Sequence, residues 1–257
     1  DIYTLLEDNQ VLLQTMLASR FVLGVKDMVS EWDQRLRTLS DVLEEWLQCQ
    51  RSWLYLETIF SADDIKKQLP SEAARFEKVD AGFRGHMRKV NAMPNCLSIS
   101  QVGGLVLVFQ SWNSALDIIQ KGLEEYLATK RMAFPRFYFL SNDELISILS
   151  QTRDPQAVQP HLIKCFDNMA RVRFGEGENA AQGSDGGDGA DGDHAPGVDG
   201  VNQSISMQAM ISSEGEEVTF SQEVLAHGNV EVWLKKVEMA MHRTLYDVTK
   251  AGLQDYT

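Results

Sequence analysis

Apolar residues recur at three- and four-residue steps through most of the first half of this chain. Val25, Met28, Val29, Trp32, Leu36, Leu39, Leu43, Trp46, Leu47 and Trp53 line up as one stripe, which predicts a long amphipathic helix. No Gly or Pro stands between Gly24 and Pro70, so one helix can run through most of that span. Ser61, with Asp64 three positions on, reads as the cap of a short helix that stops at Pro70. Phe76, Val79, Phe83, Met87 and Val90 mark another helix, closed by Met93-Pro94-Asn95. Gly103-Gly104 then precede a stripe of Leu105, Val108, Phe109, Trp112, Leu116, Ile119, Leu123 and Leu127. Long helices with short connections bury such stripes against one another, so residues 1–133 are expected to form an elongated bundle.

The pattern changes at Phe134. Pro135 ends helical continuation, and Arg136–Leu140 is rich in strand formers. Read with a period of two, it is expected to be a strand paired with the hairpin at 204–220, with Phe137 and Phe139 in the sheet's core and Arg136 and Tyr138 on the other face. Ser141 with Glu144 predicts a capping box, and Leu145, Ile146 and Leu149 supply that helix's buried face. Asp154-Pro155 starts another helical turn, Pro160 restarts a helix over 161–168, and Arg171–Phe174 has strand character. Ile205, Met207, Ala209 and Ile211 alternate with polar residues, Ser213-Glu214-Gly215-Glu216 is a turn signal, and Val218 and Phe220 alternate again: a hairpin. Asn229 is placed to cap a last helix carrying Leu234, Val237, Met241, Leu245 and Val248. The expected class is mainly α, with a small antiparallel sheet or hairpin in the C-terminal half. The boundaries are 1–133 for the bundle, 134–228 for a mixed α/β part and 229–257 for the final helix.

Charge alters this picture in one place. Gly175–Gln203 holds nine of the 18 glycines and seven acids, with no Lys or Arg, and accounts for about half of the formal net charge of −13. It lacks the apolar surface to offset its ordering entropy, so it is expected to be a disordered loop. The acidic balance argues against nucleic-acid and anionic-membrane surfaces, which need a basic footprint. Cys49, Cys96 and Cys165 are expected as buried thiols in a reducing compartment. There is no apolar run of membrane-spanning length, and the first residues (Asp1, Glu7, Asp8) are no signal peptide. Both termini fall inside helical pattern, as in a piece of a longer protein.

Catalytic chemistry is hard to find. Gly-Lys never occurs, so there is no phosphate loop of the Walker A kind, and His-Glu-x-x-His, Cys-x-x-Cys and Gly-x-Ser-x-Gly are also missing. His86, His161, His194, His227 and His242 are scattered without a second ligand at metal spacing and read as surface or capping residues. Gly186-Gly187-Asp188-Gly189-Ala190-Asp191 matches the start of a calcium-binding nonapeptide repeat, but Asp193 stands where that repeat needs an apolar residue. Trp32, Trp46, Trp53 and Trp112 fall on helical stripes and read as core. The dense aromatic run Phe134, Pro135, Arg136, Phe137, Tyr138, Phe139 is left as the candidate joint or docking surface, because both of its faces carry aromatics.

Several segments, taken together in order, resemble the linker region of dynein heavy chains. They are Gln50-Arg51-Ser52-Trp53-Leu54-Tyr55-Leu56-Glu57 with Ile59-Phe60, Asp64-Ile65 with Gln68-Leu69-Pro70, and Glu125-Tyr126-Leu127 with Lys130-Arg131. Phe134 to Ser141 follows, then Val158-Gln159-Pro160-His161-Leu162 with Cys165-Phe166-Asp167-Asn168, Glu214-Gly215-Glu216, and Gly228-Asn229-Val230-Glu231 with Trp233-Leu234. The resemblance covers roughly residues 40–250, is strongest to ciliary, inner-arm heavy chains, and departs from the common pattern in the acidic 175–203 insertion. It implies a lever that lies across the ring of ATPase modules (the AAA+ ring), bends on ATP binding and straightens in the power stroke. It also implies that ATP and Mg²⁺ are held in the ring of the parent chain, with no cofactor in this segment. The implied partners are that ring, other dynein subunits and axonemal microtubules, in the cytoplasm of a cilium or flagellum. Without the resemblance, the helices alone equally permit a static scaffold or tethering module, and an enzyme with an unrecognised site is the weakest reading.

Overall fold

The structure is a computed structural model and describes residues 2–100, 102–151, 154–175 and 205–256. The acidic segment, with its calcium-like stretch, therefore lies outside the described residues apart from Gly175. The chain forms two compact units, Asp1–Glu124 and Glu125–Thr257. Among the described residues, no helix is long and apolar enough to cross a membrane.

The first unit is all helix: α1 (Ile2–Leu17), α2 (Lys26–Phe60), α3 (Asp63–Gln68), α4 (Pro70–Ala92), α5 (Cys96–Ser100) and the first part of α6 (Leu105–Ala133). The uninterrupted stretch after Gly24 does become one helix, the 35-residue α2. Its buried stripe of Val29, Leu39, Val42, Cys49, Leu56, Ile59 and Phe60 is the core of the unit. Pro70 serves two neighbours, ending α3 and occupying the first turn of α4, where its missing N–H costs nothing. Ser61 does not cap α3. Its hydroxyl donates to the Thr58 carbonyl, closing α2 instead.

Where α2, α4 and α6 meet, Trp46 stacks on Phe109, and the His86 ring meets Trp46, Phe109 and Trp112 edge-on. His86 is thus a half-buried partner in an aromatic cluster rather than a free surface residue, and burial followed by the nearby Lys89 charge lowers its pKa. Gly82 permits this packing, since a Cβ there would fall 2.8 Å from a Trp112 ring carbon. Trp53 donates to Asp80 at 2.9 Å, and Arg84 bridges Asp80 and Glu57 while lying over the Trp53 ring. Trp32 is the tryptophan that departs from the core reading, at 40% exposure. Val108 is likewise exposed although it follows the stripe of α6.

The second unit adds a 3₁₀ turn (Pro135–Phe139), α7 (Asn142–Leu149), a second 3₁₀ turn (Pro155–Val158), α8 (Gln159–Cys165), β1 (Met169–Phe174), β2 (Ile205–Ser212), β3 (Glu217–Ala226) and α9 (Val230–Tyr256). The class is therefore mainly α with a small antiparallel sheet in the C-terminal half, as the hydrophobic pattern indicates. The sheet order is β1-β2-β3, and the predicted hairpin is β2–β3. Gly215, at φ 87, takes the left-handed position in its turn, which a side chain would disfavour. Met207 faces Val224 but Ala209 faces Thr219, so β3 bulges between these pairs. That bulge breaks strict alternation: Met207, Ala209 and Met210 are buried, and Ile211 only half so. Gln159 acts as a short surrogate strand beside β1, accepting from the Val172 N–H at 3.0 Å and donating to its carbonyl at 2.6 Å. The sheet packs on α9, whose Val230, Trp233, Leu234 and Val237 are buried, and Thr244 accepts from the Ser221 N–H at 2.9 Å.

Of the three cysteines expected to be buried, Cys49 and Cys165 are, whereas Cys96 is exposed. Burial pushes the Cys49 thiol up to about 12, with Glu45 adding to the effect, and pushes Cys165 up to about 11.

The α7 capping box forms in full: Ser141 Oγ accepts from the Glu144 N–H, and the Glu144 carboxylate accepts from the Ser141 N–H. Lys164 of α8 also pairs with Glu144. The Lys164 hydrogen bond, then the Ser141 backbone donor, lower the Glu144 pKa from 4.5 to about 2. A depressed carboxyl pKa gives stability that is complete above the ordinary value and lost as pH falls through the folded one. Glu144→Gln should therefore be less stable than wild type at neutral pH, with the difference shrinking as pH falls from 4.5 towards 2. Urea unfolding across that window checks this, and a pH-independent difference would contradict it.

Candidate functional site

The aromatic run is not a strand. Pro135 sits at the first position of a 3₁₀ turn, where its fixed φ suits helical geometry, and Phe134 before it is extended. The Phe137 N–H bonds the Phe134 carbonyl at 3.0 Å, and the Leu140 N–H bonds the Phe137 carbonyl at 3.1 Å. Three residues per turn put Phe134, Phe137 and Leu140 on one face, and all three are buried. The expected pairing of Arg136–Leu140 with the hairpin does not form. Phe139, expected beside Phe137 in a sheet core, is 69% exposed, and Tyr138 is 63% exposed. β-propensity describes a side chain that fits a half-buried pleated surface. Here the same bulky residues fit a tighter coil with a different period.

Five charged residues hold this turn. Arg131, at the end of α6, reaches forward to the Phe137 and Leu140 carbonyls, at 3.4 and 3.1 Å. Arg136 donates to Glu238 of α9 at 2.7 Å and to the Cys165 carbonyl at 2.9 Å, with its guanidinium 4.8 Å from the Phe166 ring centroid. Phe166 in turn tilts against Phe134, which meets Phe137 edge-on at 5.0 Å. One turn of α6 before Phe134, Lys130 donates to Glu231 of α9 at 2.6 Å, and both side chains are almost fully buried. Glu231 lies in the first turn of α9, where the helix dipole favours a carboxylate. Its second oxygen has no hydrogen-bond partner among the described residues. Tyr126 covers the Lys130 ammonium, and burial together with the Glu231 charge raises the pKa of its hydroxyl.

Sequence reading singles out Phe134 to Phe139 but misses Lys130, Glu231 and Glu238, which the structure places against it. A signal existed. Glu231 and Glu238 are seven residues apart, so two helical turns bring both acids to the same side of the helix. Beside the turn, Arg136, Phe166, Met169, Met210 and Met241 help line a groove of about 340 Å³. Among the described residues no group of His, Cys, Asp and Glu is placed to hold a metal ion.

What these elements define is a helical structural module that sets two exposed aromatics on a deeply anchored turn. Comparison with known proteins gives the family. The profile described as "Dynein heavy chain, N-terminal region 2" matches residues 1–252, so this chain belongs to the dynein heavy chain family. It is 48% identical over its whole length to dynein axonemal heavy chain 6 of Homo sapiens, of which it covers 6%. It is 40% identical over 98% of its length to dynein axonemal heavy chain 1 of Rattus norvegicus, covering 5% of that protein. It is also 40% identical over its whole length to the dynein-1-alpha heavy chain, flagellar inner arm I1 complex, of Chlamydomonas reinhardtii, again covering 5%. The chain thus spans about a twentieth of the length of these relatives.

The packing separates the two halves of the aromatic run by energy. Phe137→Ala should cost about 3–5 kcal/mol, as a fully buried aromatic truncation. Phe139→Ala should stay within about 0.5 kcal/mol of wild type, as a surface substitution. Chemical denaturation of the two variants measures both, and similar losses would contradict the 3₁₀ arrangement.

Proposed function

We propose that this chain is a segment of the mechanical linker of an axonemal dynein heavy chain. In this reading it bends and straightens over the AAA+ ring of the same polypeptide, and so contributes to force on microtubules in a cilium or flagellum. The observation that carries the reading is the family match across residues 1–252, together with the 40–48% identity to axonemal and flagellar heavy chains. The segment itself is non-catalytic in this account: hydrolysis, with its ATP and Mg²⁺, belongs to the ring of the complete chain.

The aromatic turn is consistent with a joint. A joint needs a rigid seat and a contact that can be made and released within a few kcal/mol. Phe134, Phe137 and Leu140 supply the seat, and Tyr138 and Phe139 supply exposed aromatic area suited to a reversible contact.

The complete motor tests this. Tyr138→Ala with Phe139→Ala should slow ATP-driven microtubule gliding more than it slows basal ATP hydrolysis, while leaving the melting temperature nearly unchanged. If gliding and hydrolysis fall in proportion, or neither changes, the turn is not the joint.

A further inference from the structure

The β2–β3 turn carries a hydroxyl whose setting differs from those of the other exposed serines outside helices and strands. Among the described residues these serines are Ser19, Ser61, Ser141 and Ser213. The Ser61 hydroxyl closes α2, Ser141 belongs to the α7 capping box, and Ser19 is followed by Arg20 and Phe21. Ser213 instead heads the run Ser213-Glu214-Gly215-Glu216-Glu217, with acids one, three and four positions after it. Glu217 pairs with Arg173 at 3.1 Å. Glu214 and Glu216 are exposed and enter no ion pair among the described residues, so both are open to a cationic partner. Neighbouring Ser212 is half-buried, and its Oγ accepts from the Glu216 N–H at 3.0 Å, which leaves Ser213 as the accessible hydroxyl. Ser213 Oγ donates to Asn168 Oδ1, in the connection between α8 and β1. That bond ties the hairpin to the residues beside Phe166. Asp167, Asn168, Ser212 and Glu216 all help wall the groove next to Arg136.

We propose that Ser213 is a phosphorylation site for an acid-directed serine kinase, and that the phosphate releases the hairpin turn from Asn168. A kinase groove lined with Lys or Arg recognises carboxylates placed just after the target serine, and Glu214 and Glu216 supply them. In the transfer, Ser213 Oγ attacks the γ-phosphorus of ATP. The bond from that phosphorus to the β,γ-bridging oxygen breaks, ADP leaves, and the hydroxyl proton passes to the kinase. The product has lost the O–H that Asn168 accepts from. It also holds a charge of about −2 next to Glu214 and Glu216, and like charges this close repel. No Lys or Arg stands in the turn to offset that charge, so the turn moves off Asn168 and one wall of the groove loosens. None of this depends on the lever reading, because the tether and the acids belong to one hairpin.

Kinase assays on the complete heavy chain test it. An acid-directed serine kinase with ATP and Mg²⁺ should place phosphate on Ser213, located by peptide mass spectrometry, and Ser213→Ala should remove it. Glu214→Gln with Glu216→Gln, both at exposed positions, should slow transfer to Ser213 about tenfold by removing the recognition charges. Asn168→Ala should speed it about threefold by freeing the hydroxyl. Hydrogen exchange at the Gly215 and Glu216 amides should be faster in the phosphorylated chain than in the unmodified one. No phosphate on Ser213, transfer that ignores the two Gln substitutions, or amide exchange unchanged by the phosphate would each overturn the proposal.

Discussion

The second unit depends on a spacing of three. Phe134, Phe137 and Leu140 are buried because a 3₁₀ turn brings every third side chain to one side. The same turn exposes Tyr138 and Phe139. A strand would have shared the aromatics between two faces and left neither fully anchored. The turn instead commits its buried members completely, and Arg131 donates from the end of α6 to the Phe137 and Leu140 carbonyls.

Charge fixes where this turn lies within its unit. Lys130, before the turn, and Arg136, within it, pair with Glu231 and Glu238, two helical turns apart on α9. The pairs are not equivalent. Lys130 and Glu231 are nearly buried, so each depends on the other to offset its desolvation, and losing either one strands a charge. Arg136 and Glu238 are more accessible, and Arg136 also ties the turn to the Cys165 carbonyl and the Phe166 ring. Ion pairs of this kind contribute geometry more than net stability. They tie the turn to α9 at two points, Glu231 and Glu238.

Much of this was legible in the residues. The α2 stripe, the Ser141–Glu144 capping box and the β2–β3 hairpin follow from periodicity and cap chemistry that act over a few positions. The aromatic turn was misread because Phe and Tyr fit strands by propensity, and only the joint burial of Phe134, Phe137 and Leu140 selects a period of three. Glu231 and Glu238 were out of reach for another reason: their partners are 101 and 102 positions away. His86 failed as a surface residue because its environment is built by aromatics from α2 and α6, at distances no local pattern encodes. Composition therefore singles out the candidate segment, while its shape comes from tertiary contacts.

Hydroxyl-radical footprinting of the complete heavy chain, with and without bound ATP, tests the central claim most directly, because it reads side-chain exposure one residue at a time. The account predicts that the reactivity of Tyr138 and Phe139 changes between the two states, while Phe134 and Phe137 stay protected in both. Unchanged reactivity at Tyr138 and Phe139, or a Phe137 that becomes reactive in either state, would contradict it.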